Sequence, residues 1–277
     1  MVSGAALPKL GSGFGYRPQW APELRRRPEA SDWVEWIIES CLDIPDDLLR
    51  DVRSLRRGVQ VVPHSVEPPI AEPGSVDRTQ LRACAGLVSD MAAPWLSGHL
   101  HFTDDARAAA ADPERMRSLA CGLGRRAAQV QRAVGVPFLL ENLTYAVGAV
   151  PQFVTEVLEH CDCGLMVNLG LLSRAADESG FEPMEFLAAV PLERMAEVHL
   201  SAGVAQPGTA IHRHPGSVTD HVWELLEELT SLVSLPATVV ERDPHRPGDL
   251  SEALSDVSRA RRVLAAAGDD RESRMRA

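Results

Sequence analysis

Seven short apolar runs in this chain end in a side chain able to bind a metal or to hydrogen-bond: Glu39, His64, His99, Glu141, Asn168, His199 and Glu241. The runs are WVEWIIE, VQVVPH, WLSGH, PFLLE, GLMVN, MAEVH and ATVVE, and an eighth, GSGFGYR, precedes them and ends at Arg17. Histidines and carboxylates at the same end of successive parallel strands converge on one point. A lone His or Glu at a strand end is commonly only a hydrogen-bonded core residue or a helix cap, but a set of them is harder to dismiss. Burying several carboxylates and imidazoles together without a cation costs on the order of several kcal/mol per ion, and a divalent metal offsets that cost. Mixed His and carboxylate ligands with open positions suit iron, manganese or zinc, and two His with one carboxylate leave Fe(II) accessible to O2. A carboxylate central in the series, such as Glu141, is able to bridge two metals. A second cluster, HRHPGSVTDHVW, carries His212, His214 and His221. Residues two apart share a face in extended chain, which makes His214 the candidate for an additional ligand. His101 stands in the same relation to His99. Exposed loop histidines are the competing account of His101, His212 and His221.

The elements that must hold these groups alternate regularly. Pro45-Asp46-Asp47 opens a helix with Leu48, Leu49, Val52 and Leu55 on one face and Gly58 after it, and Asp77 can cap the next. Asp112-Pro113-Glu114 opens a third, stopped by Gly135. Further helices begin at Pro151, at Glu182-Pro183, near Val218 and at Asp249, each with an apolar stripe. Strict strand–helix alternation leaves an open doubly wound sheet or a closed (β/α)8 barrel. Eight strands with polar residues at one set of ends favour the α/β TIM barrel, whose active sites stand where strands run into their following loops. The polar or proline-rich loops His64 to Asp77, Ser201 to Val218 and Glu241 to Asp249 would then rim one mouth. Residues 1–267 read as a single TIM-barrel domain, and the charged 268–277 as a disordered tail.

Composition narrows the partners. A chain of 277 residues with 45% hydrophobic and 24% charged content fits one such barrel. The 28 basic and 39 acidic residues give a net charge of −11, which argues against nucleic acid and against an anionic membrane surface. Five cysteines with no CxxC pair point to a reducing cytoplasm. Cys161 and Cys163 form a CxC before a strand and read as small residues at a helix-to-strand turn. No segment approaches the ~20 apolar residues of a membrane helix, and the amino terminus does not have the pattern of an export signal.

The ordered set GSGFGYRP, DWVEWIIES, VVPHS, SGHL, FLLEN, CGLMVN, PLERMAEVHLSAG, HRHP with DHVW, and VVERD resembles the DUF692 family, the multinuclear non-haem iron-dependent oxidative enzymes (MNIO). The likeness spans roughly residues 11 to 265, and PLERMAEVHLSAG with VVERD is its most specific part. The resemblance implies a xylose-isomerase-like TIM barrel holding two or three irons. It also implies oxidation of a cysteine in a ribosomally made precursor peptide, with O2 as co-substrate and a separately encoded partner protein that binds the leader. Carried across residue by residue, the family's metal ligands fall on His64, His99, Glu141, His199 and Glu241, with the loop histidine on His214 and the sixth-strand position on Asn168. Glu141, His199 and Arg17 take the catalytic roles, Arg17 with Arg242 as a holder of peptide carbonyls or carboxylates, with a structural ion pair an equally good account of Arg242. The resemblance places an Fe(II) ion on the substrate thiolate beside O2 and an Fe(III) ion nearby, oriented through Glu141.

The chain departs from the family pattern at four points. Asn168 replaces an aspartate, Gly98 a glutamate, and Ala210 and Arg213 the acidic positions of the loop motif. Fewer anionic ligands hold less positive charge, so the expectation is one or two irons rather than three. Two other readings stand beside the oxidase. One is a divalent-metal sugar isomerase or epimerase of the same barrel type, indifferent to oxygen. The other is a divergent non-catalytic barrel that binds a peptide or partner. An endonuclease on this fold is disfavoured by charge.

Overall fold

The structure, a computed structural model, describes residues 4–41, 46–66, 78–100, 112–141, 151–203, 216–244, 246 and 248–276. Eight strands are present where the apolar runs predict them: β1 Gly11–Gly15, β2 Trp33–Ile37, β3 Gln60–Ser65, β4 Leu96–His99, β5 Phe138–Glu141, β6 Gly164–Asn168, β7 Met195–Leu200 and β8 Ala237–Val240. All neighbouring pairs are parallel, and β1 pairs with β8 from Gly11↔Ala237 to Phe14↔Val240, so the sheet closes into a barrel. Closure removes both sheet edges.

The helices among the described residues are α1 Ala21–Arg26, α2 Asp46–Leu55, α3 Arg78–Met91, α4 Pro113–Val134, α5 Pro151–Glu159, α6 Leu169–Ser179, α7 Pro183–Ala189, α8 Asp220–Leu232 and α9 Asp249–Arg276. The start of α4 is the one its sequence calls for. Asp112 accepts from the backbone N–H of Glu114 and Arg115 at 3.0 and 3.2 Å, and Gly135 ends the helix at φ 76°, a left-handed turn that glycine adopts without strain. Helix α6 is an addition to the sequence reading; Asn168 caps it and Gly180 stops it. The expected loose tail is also different in the structure, for α9 continues to Arg276. Arg271 ties it down by donating to the carbonyls of Thr230 and Val233 at the end of α8.

Two cores result from strand alternation. Outward-facing residues such as Phe14, Val34, Val61, Leu140 and Val198 pack with the helices. Inward-facing Trp33, Val62, Trp95, Leu139, Met166, Ala196, Ala237 and Val239 make a separate plug in the barrel, with Leu7 and Leu10 packed against it. Trp33 and Trp95 meet edge to face at 6.2 Å. The plug leaves no space for a side chain at Gly13, where a Cβ would come within 2.6 Å of the Trp33 carbonyl and 2.9 Å of its ring.

Candidate metal centre

Along five strands a plug residue is followed two positions later, toward the C-terminal end, by a polar one: Trp33 then Glu35, Val62 then His64, Leu139 then Glu141, Met166 then Asn168, Val239 then Glu241. On β7 the phase is set by a register shift, with Leu165 opposite Met195 but Met166 opposite Glu197, after which Glu197 and His199 share the inward face. The polar groups so gathered are buried, His64 at 2% exposure, Glu141 at 2% and His199 at 0%.

Their contacts form one connected set. His99 Nε2 stands 3.0 Å and His64 Nε2 3.5 Å from Glu141 Oε2. His64 Nδ1 is 2.9 Å from Ser97 Oγ and 3.5 Å from Glu35 Oε1. His199 Nε2 lies 3.0 Å from the same Glu35 oxygen and 3.1 Å from Glu197 Oε1, while its Nδ1 is 3.3 Å from Glu241 Oε2. The imidazoles of His64 and His99 are 5.0 Å apart, and those of His64 and His199 5.4 Å.

Burial and charge act on the protons here. Burial pushes the Glu35 carboxyl up to about 8 against the pull of His199. Burial, aided by His99, also pushes His64 well below the usual imidazole range. For Glu141 burial works upward, but His99, His199 and His64 together draw the carboxyl down to about 2. For His199 burial works downward and is outweighed by Glu35, Glu241 and Glu197, so its proton is held well above the ordinary value.

These donors fit a divalent metal. Within the two groups His64, His99, Glu141 and Glu35, His64, His199, one ligand atom per residue lies within 4.8 Å of the others. Buried His64 Nε2, Glu141 Oε2 and His199 Nδ1 make no hydrogen bond among the described residues, and buried polar atoms left so are costly unless something else satisfies them. Nitrogen and carboxylate donors without cysteine match iron, manganese or zinc.

The structure therefore brings His64, His99, Glu141, His199 and Glu241 together as the sequence predicts. Asn168 is also present, with its amide already engaged: Nδ2 donates to Glu241 Oε2 at 2.7 Å, and Oδ1 accepts from Leu171 N–H and Ser201 Oγ, both at 3.1 Å. Arg17 stands beyond the end of β1 and pairs through Nε with Asp243 at 2.8 Å. Arg242 is buried away from the centre, bonded to Gly216 O, Ser217 Oγ and Glu252, and is a structural ion pair. His214, His212 and His101, with Ala210 and Arg213, lie outside the described residues, and His221 is exposed on α8 beside Glu224.

Two readings need correction. Glu39 does not end a strand; it sits in a 3-10 turn after β2 and accepts from Ser65 Oγ and Val66 N–H. Gly98 does not mark a ligand lost from this cluster, because a Cβ there would point at Ser65 O (2.9 Å) and the Phe138 ring (3.2 Å), on the face opposite His99. The sequence reading misses Glu35 and Glu197. Both are findable as charged residues two positions from an inward neighbour, Glu197 before His199 in MAEVH and Glu35 between two strand tryptophans in WVEW.

Comparison with known proteins gives the family and agrees with the fold. The family model described as RiPP precursor modification enzyme MbnB/TglH/ChrH matches residues 11–265. A UPF0276 protein of Anaeromyxobacter sp. (strain Fw109-5) is 29% identical over 272 residues, covering 93% of this chain and 94% of that protein. Among solved structures, a D-tagatose 3-epimerase-like protein superposes with a TM-score of 0.62 at 13% identity, covering 96% of this chain and 99% of its own. Endonuclease IV from Thermus thermophilus gives 0.57 at 17% identity, with 94% and 99% covered. At these identities the structural likeness speaks for the fold alone.

Proposed function

Since this chain belongs to the family of RiPP precursor modification enzymes that includes MbnB, TglH and ChrH, we propose that it oxidises a cysteine of a ribosomally made precursor peptide in the cytoplasm, using iron and O2 and a separately encoded partner protein. The observation that carries the reading is the set His64, His99, Glu141, His199 and Glu241 at one end of the barrel, the first four of them buried, with donor atoms of His64, Glu141 and His199 that make no hydrogen bond among the described residues. Iron bound there would supply Lewis acidity toward the substrate thiol and a redox couple for O2.

The chain's own residues do the rest. Glu141, drawn down to about 2 and facing both His64 and His99, is anionic across the physiological range and would be the carboxylate that holds ions together with these two rings. Asn168 leaves its sixth-strand position neutral and donates through Nδ2 to Glu241, which fixes that carboxylate. One or two irons suit this donor set, with His214 as an added ligand from the loop after β7. Arg17 at the rim is placed for a peptide carbonyl or carboxylate. Net charge of −11 disfavours a nucleic-acid substrate, and no described helix is long and apolar enough to cross a membrane.

The test is turnover. Protein purified without oxygen, analysed for metal and by Mössbauer spectroscopy, is mixed with a cysteine-containing peptide encoded beside its gene, and air is admitted. Iron at about one to two equivalents, O2 uptake and a mass change at the cysteine are expected. Iron-loaded protein that leaves such peptides unaltered in the presence of its partner would refute the oxidase reading, and sugar turnover with Mn(II) in the absence of O2 would replace it with the isomerase.

A further inference from the structure

Glu35 and Glu197 lie one inward step deeper than the ligands proposed above. Glu35 is opposite Val62, whereas His64 is opposite Ile37, and Glu197 is opposite Ala237, whereas His199 is opposite Val239. Both glutamates are thus level with residues of the apolar plug. Glu197 is fixed there, since its Oε2 accepts from the Trp95 indole at 2.7 Å and the Trp95 ring is held by Trp33.

The two histidines they touch are each divided the same way. His64 turns Nδ1 down to Ser97 Oγ and Glu35, and His199 turns Nε2 down to Glu35 and Glu197. The opposite nitrogens, His64 Nε2 and His199 Nδ1, are the ones that make no hydrogen bond among the described residues, and they point to Glu141 and Glu241. A ring nitrogen that binds a metal must offer its lone pair, and the partner of the other nitrogen decides which one is free to do so.

We propose that Glu35 is a positioning residue shared by two metal positions: from below it accepts directly from His199 Nε2 and from Ser97 Oγ, which in turn holds the Nδ1–H of His64, and with Glu197 it commits the two rings to bind ions through Nε2 and Nδ1 respectively. The inference rests on the metal centre proposed above and adds which atoms serve it. The competing arrangement uses Glu35 as a ligand, with an ion among Glu35, His64 and His199, whose donor atoms also lie close enough. That arrangement would leave His64 Nε2 and His199 Nδ1 with only their ion-pair contacts to Glu141 and Glu241, at 3.5 and 3.3 Å. One carboxylate under both rings also means that the two positions are coupled through Glu35, whereas Glu197 serves only that of His199.

Zn(II), which is diamagnetic, allows a test without turnover. In 15N side-chain spectra of the wild-type protein titrated with Zn(II), the metal-bound nitrogen of His64 is expected to be Nε2 and that of His199 Nδ1. Binding of His199 through Nε2 would overturn the inference while leaving the metal centre intact. Absence of any imidazole response would overturn the metal centre itself and this inference with it. In Glu35→Gln, Zn(II) stoichiometry by mass spectrometry of the folded protein is expected to be unchanged, with affinity weakened about 10- to 100-fold at both positions. In Glu197→Gln the weakening is expected at one position only. Outright loss of one ion in Glu35→Gln, with the other binding as before, would make Glu35 a ligand and end the proposal.

Discussion

The lower and upper halves of the barrel interior are built by the same eight strands and share almost nothing chemically. Below, Trp33, Trp95, Leu139 and Met166 fill the space with apolar side chains; above, two residues further along the same strands, Glu35, Ser97, Glu141 and Asn168 begin the polar set. The lower half gains stability from packing and asks nothing of solvent or metal. The upper half holds buried carboxylates and imidazoles whose desolvation weighs against folding. A single strand step therefore separates residues that hold the fold together from residues that the fold must hold in place.

That contrast can be broken most sharply at Glu141. Glu141→Ala is expected to abolish multinuclear metal binding, measured as metal equivalents after anaerobic reconstitution. An unchanged metal content would remove the distinction between the halves. Next in size, Leu139→Ala, two residues below on the same strand, is expected to cost ~2–5 kcal/mol in urea unfolding while metal stoichiometry is kept. If it loses metal as Glu141→Ala does, the plug and the centre are one unit.

The protons of the upper half sharpen the comparison further. Metal-free protein keeps a proton on Glu35, whose carboxyl is raised to about 8, and on His199, which is raised well above the imidazole range. Binding a cation through His199 releases its proton, and a cation close by favours the ionised form of Glu35, so apparent metal affinity should rise as pH is raised from about 6 toward about 8. Calorimetry in two buffers of different ionisation enthalpy measures the protons released, and a pH-independent affinity would contradict this assignment. The smallest effect is expected at Glu39→Gln, a turn residue outside the barrel interior, which should leave metal stoichiometry as it is.

How much of this is legible in the sequence follows from the same two layers. Parallel strands buried on both faces read as largely apolar runs, so their ends stand out, and His64, His99, Glu141, His199 and Glu241 can be picked as the residue that closes each run. The direction of each side chain is not written in such a run. Glu39 therefore reads as a strand end although the chain has already turned, and Gly98 reads as a missing ligand although its face is turned to Phe138. Glu35 and Glu197 stay hidden because they interrupt an apolar run rather than end it. The phase of β7 depends on the shift beside Leu165 and Met166, which only strand pairing reveals. Helix α6 escapes the sequence reading because its cap, Asn168, looks like a ligand. The continuous end of α9 escapes it because carbonyls of another helix, not its own apolar stripe, hold Arg271.

The tryptophan pair at the floor has a kinetic consequence. With Trp33 and Trp95 fully buried and Leu7 and Leu10 packed beneath them, the interior is a dead-end tube, and whatever reaches the histidines must come past the rim. A polypeptide seated across that rim would stand in the path of anything arriving later. On the function proposed above, ions would be installed before the peptide docks, and the closed floor would set an order of addition, metal first and substrate last.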